Sequence, residues 1–253
     1  MWECRARAVR DWLAIGYLSA SDHVEYMAFQ DADVVNYHRE MLARLVLPAV
    51  DPTVDFHFVK GYYARVSDRL HGRVTLLLLT PLPTAFVRLM GENPYISYLS
   101  SFRYALSGEF AVQRDLAVRM RLPSDWGLEI VSLLEALRHR TPRRICQAEP
   151  AERYDHKHQP VFPEDPSQGL NRMARDVCKH LLRTLAAAGV NPSDGLFRSL
   201  LSAFRGRRRI RWPTVSRSRW STAWLITAMK RRPTSTPSCR PSRLRSWSSW
   251  PTP

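Results

Sequence analysis

The sequence predicts an α/β protein, a sheet of short apolar strands with helices between them. Three observations carry this. Aromatic- and valine-rich runs recur at His23–Phe29 and Val54–Val66, and a short run around Ile145 and Cys146 lies at Arg143–Glu149, the mark of buried strands. The segments between them place apolar residues at helical spacing. The composition, 45% hydrophobic and 24% charged over 253 residues, can fill a sizeable core.

In chain order, "HVEYMAF" reads as a buried strand. "NYHREMLARLVLPAV" follows with Met41, Leu42, Leu45 and Leu47 on a helix ended by Pro48. "VDFHFVKGYYARV" is a second strand with alternating aromatics. "GRVTLLLLTPLPTAFVRLM" is an apolar helix that Pro81 and Pro83 bend or split. "SGEFAVQRDLAVRM" gives a short strand or turn and then a helix. "DWGLEIVSLLEALRHR" is amphipathic, with Asp125 at its start and Arg and His at its end, as the macrodipole favours. "RRICQAE" is a short strand. After a proline-rich loop, "GLNRMARDVCKHLLRTLAAAG" is a long helix closed by Gly189. Strand–helix alternation of this kind builds an α/β sheet.

Charge divides the chain. The net charge is +15, yet residues 205–253 hold 13 Lys/Arg and no acid, leaving 25 basic against 23 acidic groups before them. The body is nearly neutral, so nucleic-acid binding is not expected of it. The tail also holds five of the eight tryptophans and six of the eighteen prolines, without periodicity. It reads as a disordered segment, expected to be a frameshift product from about Arg207. The alternative is an Arg/Trp arm that binds RNA by charge and stacking. The four cysteines are scattered and form no CxxC pair, so neither a zinc site nor a disulfide framework is suggested, and buried or idle thiols are expected. No run is long and apolar enough to span a bilayer. "WLAIGYL" behind Asp11 makes a poor signal peptide, so a cytoplasmic protein without membrane partners is expected. Three segments result: an irregular N-terminus 1–11, a folded body 12–204 and the tail 205–253.

Asp31 and Asp33 stand at the carboxyl end of the first strand, where α/β sheets bind ligands. In an extended D-x-D both carboxylates fall on one side, and hard cations such as Mg2+ and Mn2+ take such oxygens beside those of a diphosphate. An ordinary acidic turn is the other reading of the motif alone.

Six segments in one order decide more than any of them singly: "FQDAD" (29–33), "FVKGYYARV" (58–66), "HGRVT" with "TPL" (71–75, 80–82), "LSGEF" (106–110), "DWGLEI" (125–130) and "YDHKHQ" (154–159). Together they resemble the retaining GT-A glycosyltransferases of the glucosyl-3-phosphoglycerate synthase family, over residues 12–204. The resemblance implies a partial GT-A (Rossmann-like) fold with C-terminal helices, lacking the nucleotide-binding βαβ units before the D-x-D strand and cut at both ends. It implies a nucleotide-sugar donor (NDP-glucose), 3-phosphoglycerate or glycerate as acceptor, and Mg2+ or Mn2+.

By position, Asp33 and His156 would hold the metal, and Asp31 would lie near the donor ribose. Ser107 and Gly108 would approach the donor sugar. Arg73, Val74 and Thr75 would grip the acceptor, Arg73 as a bidentate fork, with Lys60 and Tyr62 beside them. Either Tyr62 or Tyr63 would serve the core instead. Glu129 matches the acid beside the reacting sugar, or it is a surface acid of its helix. Without a pair of catalytic carboxylates, front-face transfer is expected rather than double displacement. An exposed sheet edge and apolar helices fit a homodimer. The alternatives are an inactive fragment or a nucleic-acid-binding protein acting through the tail.

Overall fold

The computed structural model describes residues 2–63, 74–152, 169–190, 193, 195–196, 198–200, 202 and 238–239. Helix α1 (Trp2–Ser19) comes first. Strand β1 (Tyr26–Phe29), helix α2 (Arg39–Val50) and strand β2 (Phe58–Gly61) follow. A π-helical turn (Thr75–Leu79) leads into α3 (Pro81–Met90) and α4 (Pro94–Ser101). Then come β3 (Phe110–Gln113), α5 (Arg114–Arg119), α6 (Leu128–His139), β4 (Ile145–Ala148), α7 (Gly169–Ala187) and β5 (Ser238–Cys239). The sheet order is β1-β3-β2-β4-β5. β3 runs antiparallel to both neighbours, and β2, β4 and β5 are parallel.

Alternation along the strands sorts side chains into two layers. On one face Phe58, Phe110 and Ile145 join Phe86, Ile130, Leu133, Val177 and Leu181 from the helices in the main core. Three phenylalanines stack across the strands, with ring centroids 4.7 Å apart for Phe29–Phe110 and 5.6 Å for Phe58–Phe110. On the other face Val59, Ala111 and Cys146 pack against Leu45 and Ala49 of α2. A third cluster, Met41, Tyr62, Tyr63, Tyr104 and Ala151, sits where β2 and β4 end.

Several expectations change. The N-terminal 1–11 segment, read as irregular, is helical from Trp2. No glycine or proline interrupts it before Gly16, and its Ala, Arg and Leu content favours helix. Pro48 does not end α2, which continues to Val50. In the last turn a proline forfeits one backbone bond and the chain still closes, through Asp51 N–H to Leu47 O at 3.0 Å. The predicted division at the prolines is present. Thr80 N–H reaches back five residues to Thr75 O, at 2.9 Å. Pro81 and Pro83 then occupy the first turn of α3, where N–H groups have no intrahelical partner to lose. Of residues 205–253, expected to lie outside the fold, Ser238–Cys239 pairs with Gln147–Ala148 of β4. The rest of that tail lies outside the described residues.

α7 closes as its sequence predicts. Gly189 takes φ +85°, and Val190 N–H bonds Leu185 O at 2.9 Å. Among the described residues no helix is long and apolar enough to cross a membrane.

Candidate functional site

The carboxyl ends of β1, β2 and β4 and the entry to β3 lie on one edge of the sheet, because β3 alone of the four runs the other way. That edge brings together the turn after β1 (Asp31, Asp33), the residues after β2 (Tyr62, Tyr63) and the loop into β3 (Ser107–Glu109).

Glu109 ties these segments. It is fully buried. Its Oε1 accepts from Asp31 N–H at 3.4 Å and its Oε2 from Tyr63 O–H at 2.9 Å. Its backbone oxygen accepts from Gly61 N–H at 2.8 Å. Ser107 Oγ donates to Gly61 O, and Lys60 Nζ donates to Ser107 O at 2.7 Å. The loop is therefore clamped to β2 by three bonds. Sequence reasoning saw "LSGEF" but set its weight on Gly108. The missed signal was an acid inside an apolar stretch, which must be satisfied once buried.

Two assignments need correcting. Lys60, expected to face substrate, is 0% exposed. Strand alternation puts it on the face of Phe58, with its ammonium 5.9 Å from the Phe110 ring centroid. Ser107, expected to face the donor, is also 0% exposed, with its hydroxyl engaged within the fold. Tyr62 and Tyr63 are both buried, so core packing claims both and not one. The Tyr63 and Tyr104 rings meet edge-on at 5.5 Å.

Asp31 is half-buried and Asp33 exposed in the turn after β1. Val74 is buried at the start of the π-helical turn, and Thr75 Oγ1 is buried with no hydrogen-bond partner among the described residues. Arg73 and His156 lie outside the described residues. Among the described residues no cluster of three metal-type donors forms. Of the two expected metal ligands, Asp33 lies among the described residues, beside Asp31, and a carboxylate suits a hard divalent cation that takes its other oxygens from a diphosphate.

Glu129 is 6% exposed, which overturns its reading as a surface acid. It occupies the first turn of α6. The residue after the other end of α6, Arg140, donates from Nε to His57 Nδ1 at 2.8 Å. His57 stands just before β2, so α6 runs from the site edge to the far edge of the sheet. Its first turn, with Glu129, is therefore on the site side.

The loop before α6 is held by α7. Asp125 Oδ2 accepts from Lys179 Nζ at 2.5 Å, and Oδ1 lies 2.8 Å from His180 Nε2 and accepts from Gly127 N–H at 2.9 Å. A Cβ on Gly127 would stand 2.1 Å from His180 Cδ2, so glycine permits this approach. Burial alone would raise the Asp125 carboxyl. The bonds to Lys179 and Gly127 and the nearby His180 outweigh it and hold the carboxyl below its ordinary value. A depressed folded value means the contribution is complete at neutral pH and is lost as pH falls through that value, below about 4. We expect Asp125→Asn to remove part of the acid dependence of unfolding below about pH 4, read from denaturant midpoints across pH. An unchanged acid limb would show that the cluster contributes nothing to it.

Arg103 and Gln147 also escaped the sequence reading. Gln147 of β4 is 0% exposed. It accepts from Arg103 N–H at 2.7 Å and donates to Ser101 O at 3.2 Å.

No protein-family model matches the chain. A glucosyl-3-phosphoglycerate synthase of Persephonella marina is 46% identical over 193 residues, covering 76% of this chain and 48% of that protein. One from Methanococcoides burtonii is 37% identical over 183 residues, covering 71% of this chain and 44% of its own length. Among solved structures, glucosyl-3-phosphoglycerate synthase from Mycobacterium tuberculosis, in complex with Mn2+, UDP-glucose and phosphoglyceric acid, matches with a TM-score of 0.52 and 25% identity, over 67% of this chain and 52% of that one. The chain thus spans about half the length of the curated relatives it matches.

Proposed function

This chain is related to the glucosyl-3-phosphoglycerate synthases and carries part of their GT-A fold, and on that footing we propose that it belongs to an enzyme transferring glucose from a nucleotide sugar to 3-phosphoglycerate, with retention. Glycerate is the second acceptor of the right chemistry. The observation that carries the reading is the convergence at one sheet edge of the Asp31–Asp33 turn and the Ser107–Glu109 loop, joined through Glu109. This is the place where α/β sheets hold ligands.

In this reading Asp33 and His156 would hold Mn2+ or Mg2+. The ion, when bound, would neutralise charge on the departing diphosphate. Asp31 would face the donor ribose, with the Gly108 backbone near the sugar. Arg73, Val74 and Thr75 would hold the acceptor anion. Glu109 is not placed as a nucleophile, because it is fully buried and serves as a tie between Asp31 N–H and Tyr63 O–H. That favours front-face transfer, in which positioning of the acceptor hydroxyl and electrostatics supply most of the rate. Glu129, buried on the site side, is the acid nearest that role.

The test is product formation by the full chain from UDP-, ADP- or GDP-glucose and 3-phosphoglycerate, followed by mass spectrometry. Glucosylated product is expected with Mn2+ or Mg2+. It should vanish with chelator and in Asp33→Ala. If neither product nor metal-dependent sugar release arises with any donor, the chain does not carry this activity.

A further inference from the structure

The start of α6 is pinned from outside the helix. Its N-cap position is Gly127, which offers no side chain to the first turn. Asp125 serves instead. Its Oδ1 accepts from Gly127 N–H at 2.9 Å, and its backbone oxygen accepts from Leu128 N–H at 3.3 Å. Asp125 is in turn held by α7, through Lys179 Nζ at 2.5 Å and His180 Nε2 at 2.8 Å. Its carboxyl stays ionised at neutral pH, and a carboxylate only accepts, so His180 presents Nε2–H to it. α7 is itself anchored, with Val177 and Leu181 in the core beside Ile130 and Leu133 of α6.

Two features mark this as more than a cap. Asn, Asp or Ser would cap the helix better than glycine, but a Cβ on Gly127 would stand 2.1 Å from His180 Cδ2 and 2.7 Å from His180 Cγ. The capping position is given up to the histidine ring. The second feature is what the turn carries. Glu129 lies two residues past Gly127 and is 6% exposed. α6 has 12 residues, about 18 Å of helix. The four residues of β4 span about 13 Å. The end of α6 lies beside the far edge of the sheet, where Arg140 meets His57. Running back along the sheet, α6 therefore brings its first turn level with the site edge.

We infer that the Asp125–His180 pair is a positioning device for Glu129. α7 fixes where the first turn of α6 stands, and so where that carboxyl meets the reacting groups. This rests on the transferase reading above, in which Glu129 is the acid beside the sugar. His180 touches no substrate; it acts through Asp125 and the Gly127 amide. A misplacement of about 1 Å at a reacting group costs about 100-fold in rate. Binding of the donor and acceptor does not depend on the pair. The signature is a loss in kcat with KM unchanged, the mark of an interaction that matters only in the transition state.

The test is the steady-state rate of the full chain with UDP-, ADP- or GDP-glucose, 3-phosphoglycerate and Mn2+. Wild type, His180→Leu and His180→Gln are compared, each also in a Glu129→Gln background, with thermal melts alongside. His180→Leu keeps an apolar body without the donor, and is expected to lower kcat about 10- to 100-fold with both KM values unchanged. His180→Gln, whose amide can reach Asp125, should restore most of the rate. In the Glu129→Gln background His180→Leu should cost little more, because residues that act through one another do not add. If the leucine variant does not fold, His180→Asn, whose amide falls short of Asp125, takes its place. No loss, an equal loss in both backgrounds, a loss that glutamine does not relieve, or a rise in KM with kcat intact overturns the positioning role and leaves the transferase reading standing. A wild-type chain with no turnover from any of the three donors overturns both.

Discussion

Glu109→Ala is expected to lower stability by about 2–6 kcal/mol and to free the Asp31 turn from the sheet. The estimate has two parts. Tyr63, 2% exposed, would be left with a buried hydroxyl lacking the acceptor it now reaches at 2.9 Å, a penalty of about 1–3 kcal/mol. Deleting a fully buried side chain also leaves a cavity, worth roughly another 1–3 kcal/mol by analogy with core truncations. The Asp31 N–H bond adds little to this sum, because 3.4 Å is long for such a bond. Its importance is positional. Asp31 begins the turn that carries Asp33, and Glu109 is what ties that turn to the loop before β3.

Glu109→Gln separates the two effects. The amide keeps the volume and can serve either Tyr63 or Asp31, but it lacks a second strong acceptor for both. Stability should fall by about 1–2 kcal/mol, while Mn2+ binding, followed by the loss of its free-ion spin-resonance signal, weakens in step with the alanine variant. Equal metal affinity in wild type and both variants would separate Glu109 from the metal-side turn. A denaturation midpoint unmoved by alanine would show that the buried acid is not a structural tie.

The sheet was legible because its strands announce themselves. β1, β2 and β4 are short apolar runs between helices whose apolar stripes match the observed core, and Pro81 and Pro83 divide the third helix where their chemistry requires. The misses have physical causes. α4, "PYISYLSS", has too few turns for a clear stripe, yet Asn93 and Pro94 mark its start. The Asn93 side chain accepts from Tyr95 N–H at 3.0 Å and Ile96 N–H at 3.3 Å, the N-cap role that residue type favours. α1 was missed because sequence position suggested an irregular end, where local propensity alone makes helix. The family resemblance drew the outline of the site, the Asp31–Asp33 turn with the loops facing it. It did not show which polar groups turn inward. Lys60 and Ser107 were read as ligand-facing because polar residues in a site motif invite that reading, whereas β2 alternation and the tight loop at Gly61 direct both into the fold. Glu109 and Arg103 came to notice only once the strands were in register, because their partners are 46 residues away at Tyr63 and 41 at Tyr62.

Gly61→Ala is the second substitution with a large expected effect, about 2–4 kcal/mol of lost stability. Directly opposed residues in antiparallel strands keep their Cβ atoms about 4.5–5.5 Å apart. A Cβ placed on Gly61 would stand 2.8 Å from Glu109 Cβ, 3.1 Å from Glu109 O and 3.5 Å from Leu45 Cδ1. The nearest of these is rooted to the backbone, so no rotamer change relieves it, and Leu45 of α2 narrows the remaining direction. The strands must part here. That stretches the Gly61 N–H bond to Glu109 O, now 2.8 Å, and with it the Ser107 contact to Gly61 O. Overpacking of this kind costs about 1–3 kcal/mol, and the weakened backbone bond about 1 more. Because the clash is with one side chain above all, the second substitution Glu109→Gly should relieve it. The double variant is then less destabilised than the sum of the singles by about 1 kcal/mol or more, as expected for residues in direct contact. Additive losses would mean that the pinch between β2 and β3 at this point is not what excludes a side chain at position 61.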